Sequence, residues 1–218
     1  MLAISAHWYI HAAAVTAMPR PRTVHDFFGF PPEVFAFEYP APGDPDLADE
    51  IVRVADPTWI GLDVDSWGLD HGAWSVLCHM FPDADVPVLQ LSVDGSKPLS
   101  FHFELGAKLA PLRERGVLIL GSGNICHGRG DRAMGDRPYE WAGRFDATVR
   151  SHLLDGTGKA LVDIEHDPDF ALAAPTPDHF LPVLYLAGLA AESGEQARVL
   201  VEGFGGGAGS MTALALDG

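Results

Sequence analysis

The stretch GVLILGSGNICH, residues 116–127, decides the predicted fold. Its apolar run VLIL is the pattern of a strand buried on both faces, and small residues follow it directly. In open α/β sheets, ligands collect outside the carboxyl ends of strands, and glycines there let a ligand approach the backbone closely. We therefore predict a binding site at the end of this strand, with His127 as its candidate residue. The alternative is that His127 is an ordinary loop or helix-cap histidine.

Strand and helix patterns alternate along the rest of the chain. Residues 2–6 have the pattern of a short interior strand, and residues 86–93 that of a central strand. A helix predicted over residues 98–115 joins this central strand to the strand at 117–120, which implies a right-handed crossover between parallel strands. Residues 198–204 and 211–216 predict two antiparallel strands that close the sheet. We expect an α/β fold, a single domain with a central, mostly parallel mixed sheet flanked by helices.

Composition limits the class of protein. With 218 residues and 47% hydrophobic residues, the chain fits one domain, residues 1–218. Its 14 Lys and Arg against 30 Asp and Glu give a net charge of -16, which argues against nucleic acid or an anionic membrane as a partner. The two cysteines, Cys78 and Cys126, show no metal-binding spacing, and no membrane span or signal peptide is visible. We expect a cytoplasmic protein.

Helix starts and a long loop are also visible. Asp44 followed by Pro45 predicts a helix start, and apolar residues at helical spacing predict helices over 73–81 and 139–154. A further helix start is predicted at residues 176–179, with threonine as the cap. The aromatic, proline-rich segment 19–32 predicts a long loop that is either a lid or binding loop, or is packed on the core by its phenylalanines.

Four histidines lie at the ends of predicted elements beside glycine, proline or other small residues: His7, His71, His127 and His179. Five others lie in segments that look solvated or helical: His11, His79, His102, His152 and His166. Neutral imidazoles suit Zn, Fe, Cu and Ni, so single histidines from several strand ends can build a metal site. No HExxH motif, cysteine cluster, Walker loop, GxSxG or GxGxxG is present.

His71 has a second chemical role open to it. It stands just before a predicted helix N-terminus, where the helix dipole disfavours an imidazolium. We therefore expect a neutral imidazole that can accept a proton, with simple helix capping as the alternative.

Seven short blocks, taken in chain order, carry a family resemblance. The blocks are SAHW (5–8), TVHDF (23–27), YPAPG (39–43), WGLDHG (67–72), QLS (90–92), GSGN (121–124) with His127, and TPDH (176–179) with Leu181-Pro182. Together they cover nearly the whole chain. In content and order they resemble the 4,5-DOPA extradiol dioxygenase branch of the class III ring-cleavage dioxygenases.

The resemblance implies a function and a set of residue roles. The implied activity is cleavage of a catechol such as DOPA by molecular oxygen, with Fe(II) as the metal, or Zn(II) in its place. By motif, His7, His127 and His179 resemble metal ligands, and His127 also resembles a catalytic histidine beside the metal. His71 resembles an acid–base or oxygen-positioning residue. His25 is undecided from its surroundings and is our candidate substrate-binding residue. The implied partners are a small aromatic diol and dioxygen, and the oligomeric state is left open.

The chain also departs from the family pattern. Family members begin with a strand ending in a His-Gly-Ser-Pro-like turn that supplies another metal ligand, and this sequence starts after it. We expect the chain as written to leave the strand at 2–6 with an open side, to bind metal weakly and to be poorly soluble. Gly128 replaces the usual asparagine. The alternative function is a noncatalytic metal- or partner-binding member. A zinc hydrolase is less favoured, since no acidic residue lies in ligand spacing beside these histidines.

Overall fold

The computed structural model describes residues 1–217. These residues form two compact units. The first comprises Met1–Ser96 with Leu112–Ser122, and the second comprises Lys97–Pro111 with the described residues from Gly123 onward. The predicted α/β class, with a central, mostly parallel mixed sheet and flanking helices, is confirmed. The assignment of residues 1–218 to one domain stays a prediction.

The first unit contains a five-stranded sheet in the order β3-β2-β4-β1-β5. Its strands are β1 (Leu2–Ile10), β2 (Ala14–Thr16), β3 (Gly61–Asp63), β4 (Leu89–Asp94) and β5 (Ile119–Ser122). β1 runs parallel to both β4 and β5, and β2 runs parallel to β3, whereas β2 and β4 are antiparallel. Every residue of β4 is buried, as predicted for a central strand. The sheet thus carries β1 between two neighbours.

Three helices of the first unit accompany this sheet: α1 (Pro32–Phe35), α2 (Pro45–Ala55) and α3 (His71–Met80). As predicted, α2 begins at Asp44-Pro45, because the Asp44 carboxylate accepts a hydrogen bond from the backbone N–H of Leu47 at 3.0 Å. α3 begins at His71, two residues earlier than the predicted start, because Asp70 is its N-cap. α3 packs against β1, and α2 against β2 and β3.

The prediction of a strand at 117–120 buried on both faces is wrong. β5 lies at the edge of the sheet, and in the part of the chain that is described it pairs only with β1. The Leu118 side chain beside it is 42% exposed. The expected open side of β1 is also wrong, since β4 and β5 cover both of its edges. An apolar run reports hydrophobicity, but the order of strands decides which one is covered.

The helix predicted over 98–115 is divided in two. α4 (Leu99–Leu109) ends before α5 (Pro111–Glu114), because Pro111 has no N–H to continue the ladder of hydrogen bonds. The remaining helices are α6 (Glu140–Leu154), which matches its predicted span, α7 (Phe170–Ala173) and α8 (Leu181–Ser193). A 3₁₀ helix over Gly158–His166 was not predicted. It packs against α4, α6, α7 and α8 inside the second unit.

Two predictions about the C-terminal part are wrong. The predicted antiparallel pair is present, since β6 (Arg198–Val201) pairs with β9 (Ala213–Ala215), but among residues 1–217 it forms a separate two-stranded sheet and does not close the central one. β7 (Phe204–Gly205) and β8 (Gly209–Ser210) form another such pair. The helix start predicted at residues 176–179 also shifts, since α8 begins only at Leu181 and has no side-chain cap. Among residues 1–217, no helix has the length and apolar character needed to cross a membrane.

Candidate metal and acid–base site

His7 lies in β1 where the regular pairing of that strand is interrupted. Pairing with β5 ends at Ser5, and the register with β4 shifts between Ile4 and Tyr9. The backbone N–H of His7 donates instead to the Ser5 hydroxyl at 3.2 Å. The His7 side chain is 25% exposed. This break in the ladder lets the His7 ring leave the sheet toward the start of α3, at Gly72.

Gly72 makes that approach possible. A Cβ atom at this position would lie 2.4 Å from the Ser5 hydroxyl oxygen and 3.0 Å from Cδ2 of the His7 ring. The first distance is too short for any real contact, so a side chain here would force either the Ser5 hydroxyl or α3 to move. Glycine therefore brings the N-terminus of α3 against His7, and with it the neighbouring residue His71.

A buried polar network anchors the start of α3. The Asp70 carboxylate accepts from the backbone N–H of Ala73 at 3.2 Å, from Trp67 Nε1 at 3.3 Å and from the Gln90 side-chain amide. In return, the Gln90 amide oxygen accepts from the backbone N–H of Asp70 at 3.1 Å, and the Gln90 backbone N–H donates to the Thr16 hydroxyl. Burial raises the pKa of Asp70, although hydrogen bonds to its carboxylate act against that rise. The network fixes α3 to β4.

Asp26 connects the two histidines. Its Oδ1 accepts from His71 Nδ1 at 2.9 Å and from the backbone N–H of His71 at 3.0 Å, while its Oδ2 lies 3.2 Å from His7 Nδ1. The centroids of the two imidazole rings are 3.9 Å apart, with an angle of 55° between the planes. Burial by itself would raise the pKa of Asp26, but the hydrogen bonds from both histidines outweigh burial and hold the pKa far below its usual range. Asp26 is therefore a carboxylate at neutral pH.

The Asp26 contacts determine how the rings are presented. A carboxylate only accepts hydrogen bonds, so the Nδ1 atom that faces Asp26 carries the proton of each ring, and the lone pair of each ring lies on Nε2. Ligand atoms of His7, Asp26 and His71 lie within 4.8 Å of one another, so the three side chains could together hold a metal ion. Since both Asp26 oxygens already face Nδ1 atoms, we assign Asp26 to the outer shell of such a site, where carboxylates orient ligating imidazoles.

A second histidine pair lies in the second unit. His127 and His179 stack in parallel, with ring centroids 3.6 Å apart and 4° between the planes. His127 is placed by the bond from its backbone N–H to the Ala173 carbonyl at 2.8 Å and by a bridge to Gly209. His179 Nδ1 lies 2.9 Å from the side-chain oxygen of Asn124, and its Nε2 lies 3.6 Å from Asp178.

Asn124 holds the His179 ring in a defined orientation. Its side-chain NH₂ donates to the Ser210 carbonyl at 2.6 Å, so its oxygen must face His179 and accept from Nδ1. The backbone N–H of Asn124 also donates to the His179 carbonyl at 2.9 Å. At Gly123, a Cβ atom would lie 2.3 Å from that same carbonyl oxygen, which is why the residue before Asn124 must be glycine.

An aromatic cluster borders the first histidine pair. It consists of His25, Phe27, Phe35, Phe37 and Trp74, whose rings contact one another. Phe27 meets the His71 ring edge to face at 5.3 Å. His25 Nε2 lies 2.9 Å from the Phe37 carbonyl, so this nitrogen is a donor and is occupied. Within the predicted loop, Phe27 therefore packs in the cluster, whereas Phe28 is 93% exposed.

The structure thus brings the predicted histidines together as two pairs, His7 with His71 and His127 with His179, each inside one unit. Sequence reasoning missed Asp26 and Asn124 as partners of these rings, although both stand in blocks quoted for the resemblance. The available signal was position: each lies in such a block near a candidate histidine, and each has a side chain able to accept from an imidazole N–H.

Three comparisons place this architecture among known proteins. The family model described as the catalytic LigB subunit of aromatic ring-opening dioxygenase matches residues 1–207. The 4,5-DOPA dioxygenase extradiol of Escherichia coli strain K12 is 43% identical, over 98% of this chain and 80% of its own length. The protein of the same name from Beta vulgaris is 38% identical, over 95% of this chain and 78% of its own length. An uncharacterized Escherichia coli K12 protein of known crystal structure matches with a TM-score of 0.83 and 40% identity, covering 98% of this chain and 84% of that one.

Proposed function

This chain belongs to the family of the catalytic LigB subunit of aromatic ring-opening dioxygenase, and from that premise we propose that it is an extradiol dioxygenase that opens the ring of a catechol such as DOPA. The observation that carries the proposal is the contact of one carboxylate, Asp26, with both His7 and His71. With both Nδ1 atoms turned toward Asp26, each ring carries its lone pair on Nε2, which suits one ring to hold a metal and the other to take a proton.

The residues fit a divalent transition metal. Neutral imidazole nitrogen is a good ligand for both Fe(II) and Zn(II), and a ligating histidine needs an outer partner on its other nitrogen, which Asp26 supplies for His7. We propose Fe(II) for the active protein and His7 as one of its ligands. The assignments from motif, His127 and His179 as ligands with a catalytic role for His127 beside the metal, are proposals for the second unit. Fe(II), when bound, supplies the coordination of the diol oxygens and the activation of dioxygen.

The proposed reaction combines one catechol with one dioxygen, and all their atoms stay in the product. The ring bond between one hydroxyl-bearing carbon and its neighbour outside the diol breaks; the first carbon becomes a carboxylic acid and the second an aldehyde. A hydroxyl proton must leave as the diol binds, and His71 Nε2 is the acceptor we propose, with Asp26 holding the proton on the opposite nitrogen. Phe27 and its aromatic neighbours offer apolar ring faces for the substrate. His25 remains our candidate substrate-binding residue through its ring, since its Nε2 is occupied.

The test is ring opening by the reconstituted protein. The purified chain is loaded with Fe(II) without air and then mixed with DOPA and isotopically labelled dioxygen. We expect one dioxygen consumed per DOPA and both labelled atoms in the product by mass spectrometry. Zn(II), which has no redox chemistry, should give no ring opening. A protein that binds Fe(II) and leaves DOPA intact would instead support the noncatalytic alternative.

His71→Gln separates the proposed acid–base role from a ligand role. We expect a loss of about 10²- to 10⁴-fold in kcat, the range for removal of a general base, with the Fe(II) content unchanged. The matched control is His11→Gln, because His11 is an exposed histidine of the same unit that follows β1; it should keep full activity. Loss of metal in His71→Gln would reassign His71 as a ligand.

A further inference from the structure

One carboxylate serves three N–H donors at the start of α3. The Asp26 side chain is only 15% exposed, and its two oxygens face different numbers of N–H groups. Oδ2 faces the His7 ring alone, at 3.2 Å from Nδ1. Oδ1 faces both the ring and the backbone N–H of His71, at 2.9 Å and 3.0 Å.

We propose that Asp26 is a positioning residue that sets the tautomers of His7 and His71 together, and that the backbone N–H of His71 determines which of its two oxygens serves which ring. This inference rests on the proposed function, because it concerns how a ligand and a proton acceptor are kept in their working forms. In this inference Asp26 acts through the two rings and is assigned no contact of its own with metal or substrate.

The unequal division follows from the chemistry of the donors. An imidazole can move its proton from Nδ1 to Nε2 and turn a donor into an acceptor, but a backbone N–H cannot. The position of Oδ1 must therefore always be filled by an acceptor. The position of Oδ2 carries no such constraint, since its only close partner in these contacts is the His7 ring.

Asp26→Asn turns this asymmetry into a prediction. The asparagine oxygen must take the Oδ1 position, because the reverse orientation would set its NH₂ against the backbone N–H of His71. The NH₂ group then faces His7 Nδ1, which has to become an acceptor, and the His7 proton moves to Nε2. His71 keeps its proton on Nδ1. One substitution should thus change the tautomer of His7 and leave the tautomer of His71, whose ring centroid is 3.9 Å away, unchanged.

The tautomers can be read without metal or substrate. In metal-free protein labelled with ¹⁵N-histidine, two-bond proton–nitrogen correlations distinguish the Nδ1–H from the Nε2–H form of each neutral ring, and His7→Gln and His71→Gln assign the signals. We expect Nδ1–H for both rings in the wild type, and Nε2–H for His7 alone in Asp26→Asn. Asp26→Glu, which keeps two acceptor oxygens, should restore Nδ1–H on both rings.

Metal affinity gives an independent measurement. A protonated Nε2 cannot bind a metal, so Asp26→Asn should weaken Zn(II) binding, measured by competition with a chromophoric chelator, by about 10- to 100-fold, the usual cost of losing an outer-shell partner. Asp63→Asn is the matched control. Asp63 is a buried carboxylate of the same unit whose hydrogen bonds come from the 65–67 turn, so its loss should change neither tautomers nor affinity.

Two results would overturn the inference: an Nε2–H form of either ring in the wild type, or a His7 tautomer that is the same in wild type and Asp26→Asn. Failure of the proposed function is a separate outcome. A wild type that opens no catechol ring would still show the predicted tautomers if Asp26 acts as proposed. An active wild type whose tautomers are unaltered by Asp26→Asn would instead reject the positioning role of Asp26 and keep the proposed function.

Discussion

Gly72→Ala tests whether the contact between α3 and β1 is as tight as the structure shows. Alanine is favoured over glycine inside a helix by about 1 kcal/mol, so helix propensity alone would stabilise the variant. The added methyl group, however, would lie 2.4 Å from the Ser5 hydroxyl oxygen, and overpacking of this kind costs about 1–3 kcal/mol. The balance is a loss of about 0–2 kcal/mol in the free energy of unfolding, measured by urea denaturation.

The control for Gly72→Ala is Gly143→Ala in α6. There the nearest atom to an added methyl group is Cγ of Pro138 at 3.8 Å, an ordinary contact. Only the helix propensity remains, so the control should gain about 1 kcal/mol. The two substitutions are identical in chemistry, yet Gly143→Ala should raise the free energy of unfolding whereas Gly72→Ala should lower it or leave it unchanged.

Ser5→Ala completes a double-mutant cycle with Gly72→Ala. Alone, Ser5→Ala removes the acceptor of the His7 backbone N–H and should cost about 1–3 kcal/mol. In that background the methyl group at position 72 no longer meets the hydroxyl, so Gly72→Ala should cost less than in the wild type, with a coupling energy of about 0.5–3 kcal/mol. Additive effects, or a Gly72→Ala protein as stabilised as the Gly143→Ala control, would refute the packing described here.

Two further predictions concern polar groups away from the first histidine pair. Burial would raise the pKa of Asp63, but backbone N–H groups of the following turn donate to its carboxylate and lower the pKa instead. The Asp63 carboxylate therefore stabilises the folded protein above the ordinary carboxyl pKa, and this stabilisation is lost as pH falls toward the pKa of Asp63 in the folded state. The difference in urea midpoint between wild type and Asp63→Asn should shrink between about pH 6 and about pH 3, and a constant difference would contradict this. Asn124→Ala removes the hydrogen bonds of Asn124 to the Ser210 carbonyl and to His179 Nδ1, and should cost about 1–3 kcal/mol in the free energy of unfolding by the same assay. Asn124→Asp should not rescue it, since a carboxylate oxygen would face the Ser210 carbonyl.

The elements that carry the candidate residues are predictable where hydrophobicity and capping act locally. β1 and α3 come within a few residues of their predicted bounds, because an apolar run marks the first and apolar residues at helical spacing mark the second. β5 shows the limit of this reasoning. Its apolar residues are typical of a covered strand, but cover depends on which strands lie beside it, and no local pattern contains that information.

The contacts of Asp26 were missed for a different reason. It lies in an irregular segment with no period to place it. Its position comes from the alignment of two distant segments by a bridge between Thr23 and Leu69 and by further hydrogen bonds of Arg22 and Val24. The residue three beyond Thr23 thereby meets the residue two beyond Leu69. The sequence shows Asp26 as an acceptor near a candidate histidine, but which two rings it contacts depends on this alignment of distant segments.

The hydrogen bond from His25 to the Phe37 carbonyl has a consequence for how this protein can diverge. It joins two residues twelve positions apart and so closes a loop, and the exposed residue Phe28 lies within that loop. Lengthening a closed loop is cheap, about 0.6 kcal/mol for each doubling. Insertions beside Phe28 can therefore accumulate while the hydrogen bond between His25 and Phe37 holds the ends of the loop in place. The surface around Phe28 can therefore change while His7 and His71 keep their positions.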